Sequence, residues 1–341
     1  MSLAIEQNVR EGVADLLGSQ SIEFAQLGIG GNNRLLQVIH GSSKLVAKCY
    51  YQHGRDSIRR QTAEWEFLTH AQACGLESVP KPIGVDYKSN ITLMSLLEGQ
   101  KIFAHPSTQQ IKRAAQFIKA INTFEYASAG QNIPDAAESG FSYQMHSDLL
   151  EMRIERLLRA SQHGDVQEDF ASVIRSINDA FSAWKIWVMD AGSGVERTFH
   201  HPLPRQQRIV SPSDFGFHNI LLGEDEKLQF LDFEYAGWDD AAKLICDFFW
   251  QPAVPVDRKH MSDFRFTAFG WRSDYDDICK RSSLLDPLFG LRWCCIILNP
   301  FLKSWAPRQS FANPEESITT LREQRLIKAK AYLGKVNAFF K

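Results

Sequence analysis

Apolar residues recur along the chain with two periods, and the switches between them mark out its elements. Residues 4–17 set Ile5, Val9, Val13, Leu16 and Leu17 on one stripe, with Gly18 as a stop, which predicts an amphipathic helix. Residues 22–38 and 44–50 instead alternate, or run apolar with glycines between, as strands and hairpins do; His40-Gly41-Ser42-Ser43 is the turn that separates them. Helical spacing returns at 57–74, with Ile58, Trp65, Leu68 and Ala71 as the expected inner face. Pro80 and Pro82 end that region, and residues 91–97 read as one more buried strand.

Beyond residue 107 the period is mostly three to four. Helices are expected at 108–126, 147–160 and 166–189, the last marked by Val166, Phe170, Val173, Ile177, Phe181, Trp184 and Val188. A short polar hairpin interrupts them, with Leu221-Leu222 and residues 228–233 flanking Gly223-Glu224-Asp225-Glu226. Further helices are expected at 239–250, 258–281, 287–304 and 315–340. The fold class is therefore α+β. A small N-terminal lobe with an antiparallel sheet (1–98) precedes a larger, mainly helical C-terminal lobe (99–341), with Gly99 near the junction.

Composition narrows the function classes. The 341 residues are 44% hydrophobic and 23% charged, with a formal net charge of −2, which gives no reason to expect nucleic acid or an anionic membrane as a partner. No apolar run reaches 18 residues, and Glu6 and Glu11 interrupt the N-terminal apolar residues, so neither a membrane span nor a secretory signal is expected. The six cysteines have no metal spacing, and Cys294-Cys295 lies in an apolar run as core thiols would; a reducing, cytoplasmic setting fits them.

Candidate chemistry sits in four places. Gly28-Ile29-Gly30-Gly31-Asn32-Asn33-Arg34 lies between two strands, where glycines let backbone N–H groups approach a phosphate; a plain hairpin turn is the other reading. Lys48, in the apolar strand Leu45-Val46-Ala47-Lys48, holds one cation at a fixed place. The helix at 57–74 offers Glu64 or Glu66 as its partner, and periodicity leaves both open. Finally, Asp214 and Asn219 share a Gly-bearing loop, and Asp232 follows at a strand end; two carboxylates and an amide are hard oxygen donors that suit Mg²⁺ shared with phosphates.

Gly-Gly-Asn-Asn-Arg at 30–34, Ala-Lys at 47–48, Glu64, the Asp214–Asn219 loop and Leu-Asp-Phe-Glu-Tyr-Ala-Gly-Trp-Asp-Asp at 231–240 resemble, in order, the aminoglycoside phosphotransferase and choline kinase superfamily. The resemblance implies a protein-kinase-like bilobal fold, Mg²⁺, and ATP or GTP as donor of a γ-phosphate to a small-molecule hydroxyl. It implies that Gly30, Gly31 and Asn32 cover the phosphates, that Lys48 contacts the α/β-phosphates, and that Glu64 pairs with Lys48. Residues 91–97, Met94 and Leu96 among them, would hold the adenine through backbone groups. Asp214 would be the catalytic base, with Asn219 and Asp232 as metal ligands.

Two departures stand out. The family usually has His-Gly before the catalytic Asp, and this chain has Pro212-Ser213. Where the family places Asp-Leu after its Gly-Asp-Pro, this chain has Leu244-Ile245, and Asp247 one turn further is the candidate brace for the catalytic loop. The expected function is a small-molecule kinase acting on an amino sugar, a sugar or an amino alcohol such as choline. The alternative is a nucleotide-binding pseudokinase with a scaffold or sensor role.

Overall fold

The computed structural model describes residues 2–29, 33–50, 55–103, 105–123, 132–162, 168–191, 194–303, 305 and 317–340. The chain divides into two compact units: Met1–Ala137 with Val210–Trp238, and Glu138–Ile209 with Asp239–Lys341.

In the first unit, helix α1 (Ser2–Leu17) precedes strands β1 (Glu23–Ile29), β2 (Asn33–His40) and β3 (Ser43–Tyr50). Helix α2 (Arg55–Ala73), β4 (Pro82–Asp86) and β5 (Ile91–Ser95) follow. The five strands form an antiparallel sheet in the order β1-β2-β3-β5-β4. Register explains its two faces. Leu36 pairs with Ala47, Val38 with Leu45, and Ala47 with Leu93. These side chains share one face and form a core with Val9, Val13 and Ala14 of α1. The alternate residues of β3, Lys48 among them, turn the other way.

On that other face, α2 departs from expectation. Its buried stripe is Ser57, Arg60, Gln61, Glu64, Phe67, Leu68 and Ala71, whereas Ile58 is half exposed and Trp65 half buried. The stripe is polar at its N-terminal end because each polar group there has a partner. Gln61 Nε2 donates to the carbonyls of Asp86 (3.0 Å) and Ile91 (2.8 Å), tying α2 to the β4–β5 hairpin. Strand β4 is missing from the sequence-based reading because Pro82 opens it; at the sheet edge a proline needs no ladder partner.

The same unit takes in β6 (Gln100–Lys101), α3 (Thr108–Thr123) and the returning segment, which holds the end of β7 (Ile209–Ser211), β8 (Ile220–Leu222) and β9 (Leu228–Phe230). Strands β8 and β9 form the expected hairpin, and β6 adds to β8. A Cβ at Gly99 would lie 2.9 Å from the Leu222 carbonyl, so the approach to β8 requires a residue without one.

The second unit is helical: α4 (Tyr143–Ser161), α5 (Glu168–Ala191), α6 (Val195–Thr198), α7 (Ala241–Trp250), α8 (Met261–Phe269), α9 (Tyr275–Ile297) and α10 (Ile318–Asn337). Phe170, Val173, Ile177, Phe181, Trp184 and Val188 are all buried, as their spacing predicts; Val166 lies outside the described residues. Cys294 and Cys295 are buried in the same core. The expected break before Pro287 is absent. Pro287 sits inside α9, fourteen of whose residues are buried, and the chain breaks earlier, after Gly270. Packing on most sides of α9 compensates for the hydrogen bond that proline removes.

Buried charge is a second feature of this unit. Asp240 caps α7 through the Ala242 N–H (2.8 Å) and also accepts from Arg281 Nε (2.6 Å) and His146 Nε2 (3.1 Å). Lys243 is fully buried and lies 2.6 Å from Asp239. Asp247 accepts from Arg292 (3.0 Å) and Trp293 (3.0 Å), so its carboxylate serves α9 within this unit.

Candidate active site

Lys48 projects from β3 beneath α2, where Glu64 Oε2 and Asp232 Oδ1 each lie 2.6 Å from its Nζ, and Glu234 lies 4.0 Å away. The choice left open between Glu64 and Glu66 is resolved geometrically: Glu64 faces the lysine and is buried, while Glu66 is partly exposed. Burial by itself would lower the Lys48 pKa. The carboxylates of Asp232 and Glu64 more than reverse this and keep the ammonium protonated far above its ordinary range.

Glu64 spends both oxygens. Oε2 also accepts from the Tyr50 hydroxyl, and Oε1 accepts from the Phe233 N–H at 3.2 Å. Phe233 stacks on Phe67, one helical turn beyond Glu64, with ring centroids 4.3 Å apart. One carboxylate thus joins strand, helix and the Asp232-Phe233 backbone. Tyr50, two residues after Lys48 on the same strand face, was open to discovery from strand alternation.

Asn33, Arg60 and Glu234 form a second buried group that motif reading missed. Asn33 Nδ2 donates to Glu234 Oε2 at 2.6 Å, and Arg60 Nη1 lies 3.3 Å from the same oxygen. Arg60 stands four residues before Glu64, and that spacing is the signal that would have found it. Gly30, Gly31 and Asn32 lie outside the described residues. Asn33 opens β2 directly after them.

The loop from Ser211 to Asn219 is held by aromatic anchors. Phe215 lies against Phe117 and Phe230, with centroids 6.0 Å apart in each case, and Phe217 is buried. Ser213, at the Gly position of the family's usual His-Gly, has φ 65°. Glycine is at ease in that left-handed conformation. Serine pays roughly 1 kcal/mol there, offset by a hydrogen bond from its N–H to Ser211 Oγ at 3.0 Å. Asn219 Nδ2 donates to the Asp214 carbonyl at 3.1 Å, so the amide nitrogen is turned to the loop backbone. The Leu231 N–H donates to the Asn219 carbonyl at 2.9 Å and ties the loop to the segment carrying Asp232, itself left-handed at φ 65°. Asp214 and Asp232 remain partly exposed.

Met94 lies in β5 opposite Val46, on the same sheet face as Lys48. The Leu96 N–H is engaged with the Lys44 carbonyl at 3.3 Å.

The carboxylates of Asp214, Asp232, Glu64 and Glu234 outnumber the cations of Lys48 and Arg60 in this region. Among the described residues, no group of three or more His, Cys, Asp or Glu side chains makes a complete metal cage. The donor set is hard, anionic and incomplete. A Mg²⁺ ion that draws its remaining ligands from phosphate fits such a set.

Solved structures share this fold. A choline/ethanolamine kinase family protein from Mesorhizobium loti is 16% identical with a TM-score of 0.55, over 97% of this chain and 99% of that one. A choline kinase from Cryptosporidium parvum Iowa II is 12% identical with a TM-score of 0.57, over 93% and 90%. A spectinomycin phosphotransferase in complex with ADP and spectinomycin is 11% identical with a TM-score of 0.54, over 91% and 93%. No protein of curated function matches the chain in sequence. The profile of the phosphotransferase enzyme family matches residues 23–253, which takes in both the lysine strand and the Asp214–Asp232 segment, and the chain belongs to that family.

Proposed function

We propose that the protein is a Mg²⁺-dependent small-molecule kinase that moves the γ-phosphate of ATP or GTP to a hydroxyl of an amino sugar, a sugar or an amino alcohol. The observation that carries this reading is the convergence of Lys48, Glu64 and Asp232 within 2.6 Å contacts, next to a loop that presents Asp214 and Asn219. Phosphoryl transfer asks a protein mainly for positioning and charge neutralisation, and these residues supply both.

Lys48 would bind the α/β-phosphates, held in place by Glu64, and Gly30, Gly31 and Asn32 would cover them. Met94 and Leu96 would border the base. Asn219 and Asp232 would hold Mg²⁺, which neutralises phosphate charge when bound. Asp214 would orient the acceptor hydroxyl and take its proton. The ADP and spectinomycin of the phosphotransferase of similar fold support a nucleotide and a small molecule as the two substrates. A cytoplasmic setting is supported by six free cysteines; among the described residues no helix is long and apolar enough to cross a membrane.

The test is ATP consumption against a panel of hydroxyl compounds, with Asp214→Ala as control. Binding alone is read by thermal shift, where a ligand at about 100 times its dissociation constant stabilises by roughly 2.7 kcal/mol. Absence of both signals sinks the proposal. Nucleotide binding with no turnover on any acceptor would favour the pseudokinase reading instead.

A further inference from the structure

We propose that His218 is a positioning residue that fixes the carboxylate of Asp214 through its Nε2–H, a role that rests on Asp214 being the base that receives the acceptor proton. His218 Nε2 lies 3.3 Å from Asp214 Oδ1. Phe215 and Phe217, both buried, anchor the turn on either side of Gly216 and set the two side chains toward each other. The next residue, Asn219, holds the Asp214 carbonyl. Two successive side chains therefore fix one aspartate, His218 at its carboxylate and Asn219 at its backbone.

The environment of the other ring nitrogen selects the tautomer. Nδ1 of His218 is buried and has no hydrogen-bond partner among the described residues. A proton on Nδ1 would bury an unpaired donor and turn the Nε2 lone pair toward a carboxylate oxygen. A proton on Nε2 leaves only an acceptor unsatisfied and turns a donor toward the carboxylate oxygen 3.3 Å away. A solvated surface pair would not have one nitrogen sealed in this way. His218 holds without reacting. In the transfer, the acceptor oxygen bonds to the γ-phosphorus and the bond to the β,γ-bridging oxygen breaks. Its electron pair leaves on the nucleoside diphosphate, and the hydroxyl proton passes to Asp214.

The experiment has two arms on the full chain. In the first, nitrogen NMR of the ¹⁵N-histidine-labelled protein at about pH 8, above the ordinary imidazole range, reads the tautomer of His218, assigned by its loss in His218→Gln. A dominant Nε2–H form whose Nε2 resonance moves in Asp214→Ala is expected; an Nδ1–H form, an averaged mixture in the wild type, or an Nε2 resonance that does not move in Asp214→Ala overturns the proposal. In the second, kinetics use Mg·ATP with whichever hydroxyl compound of the panel is turned over. His218→Ala should lower kcat about 10- to 100-fold with the KM for ATP within about twofold, and His218→Gln, which can place an amide N–H at the same reach, should recover most of the loss. Wild-type kcat in His218→Ala, or a loss confined to KM, overturns the proposal. Full activity in Asp214→Ala removes Asp214 as the base and overturns the positioning role with it; no turnover by the wild type overturns the kinase reading itself, while the tautomer still reports on the pair independently.

Discussion

Asn33 and Glu234, 201 positions apart in the chain, meet through a buried 2.6 Å hydrogen bond that closes over Arg60. Asn33 begins β2, so this bond ties the start of that strand to the segment that carries Asp232. Glu234→Ala would remove the buried carboxylate that faces Arg60 at 3.3 Å and accepts from Asn33, and should destabilise by about 3 kcal/mol, read as a lower urea midpoint. Glu234→Gln keeps the shape and should mainly raise the KM for ATP. An unchanged midpoint in the alanine variant would show that the network contributes nothing to the fold.

Lys48→Met keeps the apolar stem and deletes the charge. Glu64 is then left buried with the Tyr50 hydroxyl and the Phe233 N–H but no cation. The variant should lose about 100-fold or more in kcat/KM and show a smaller thermal shift with Mg·ATP. Retention of both would exclude Lys48 from phosphate binding.

His146 makes stability fall on acidification. Burial lowers its pKa below 6.5, and Asp240 draws it only part of the way back; Arg281 and Arg292 press the same way as burial. The unfolded chain then takes up a proton near pH 6.5, and the folded chain only below that. Where the unfolded state binds more protons, stability rises with pH. Acidification from about pH 7.5 through 6 should therefore weaken the wild type more than His146→Gln, with a slope difference of up to about 1.4 kcal/mol per pH unit. Asp239, raised to about 6 by burial despite Lys243, acts with the opposite sign in this range, but it is present in both proteins and cancels. Parallel denaturation midpoints across pH would refute the assignment.

Two glycines should respond in opposite directions. A Cβ at Gly237 would collide with the backbone of Pro134 and Ala136, and Gly237→Ala should lower stability by about 1–3 kcal/mol. At Gly334, inside α10, nothing lies within 4 Å of the added carbon. Gly334→Ala should raise stability by about 0.5–1 kcal/mol. Calorimetry of the two variants beside the wild type reads both.

These cases show how far residue patterns reach. The lysine strand was legible because alternation fixes which side Lys48 takes, and the hairpin at 220–230 because two apolar runs flank its turn residues. The inner face of α2 was legible only at Leu68 and Ala71: hydrophobic periodicity also selects Ile58, but the helix instead buries Arg60, Gln61 and Glu64, whose burial depends on partners far away in sequence. Proline misled twice, at Pro82, which opens an edge strand, and at Pro287, which a crowded helix absorbs. Spacing alone brought Asp214 and Asn219 into one loop. It could not show that His218 turns toward Asp214, because that depends on where Phe215 and Phe217 are anchored.

The division of the chain also constrains the order of biosynthesis. When residues 1–137 have left the ribosome, Lys48 and Glu64 exist but Asp232, Glu234 and the Phe233 N–H have not yet been made. The segment 138–209 must be translated before residues 210–238 return to the first unit. During that interval the buried lysine lacks one of its two closest carboxylates, and Arg60 and Asn33 lack Glu234. The first unit therefore cannot close as synthesis proceeds from its N-terminus. The buried charged groups around Lys48 come together late, as a single event that depends on the arrival of one short stretch of chain.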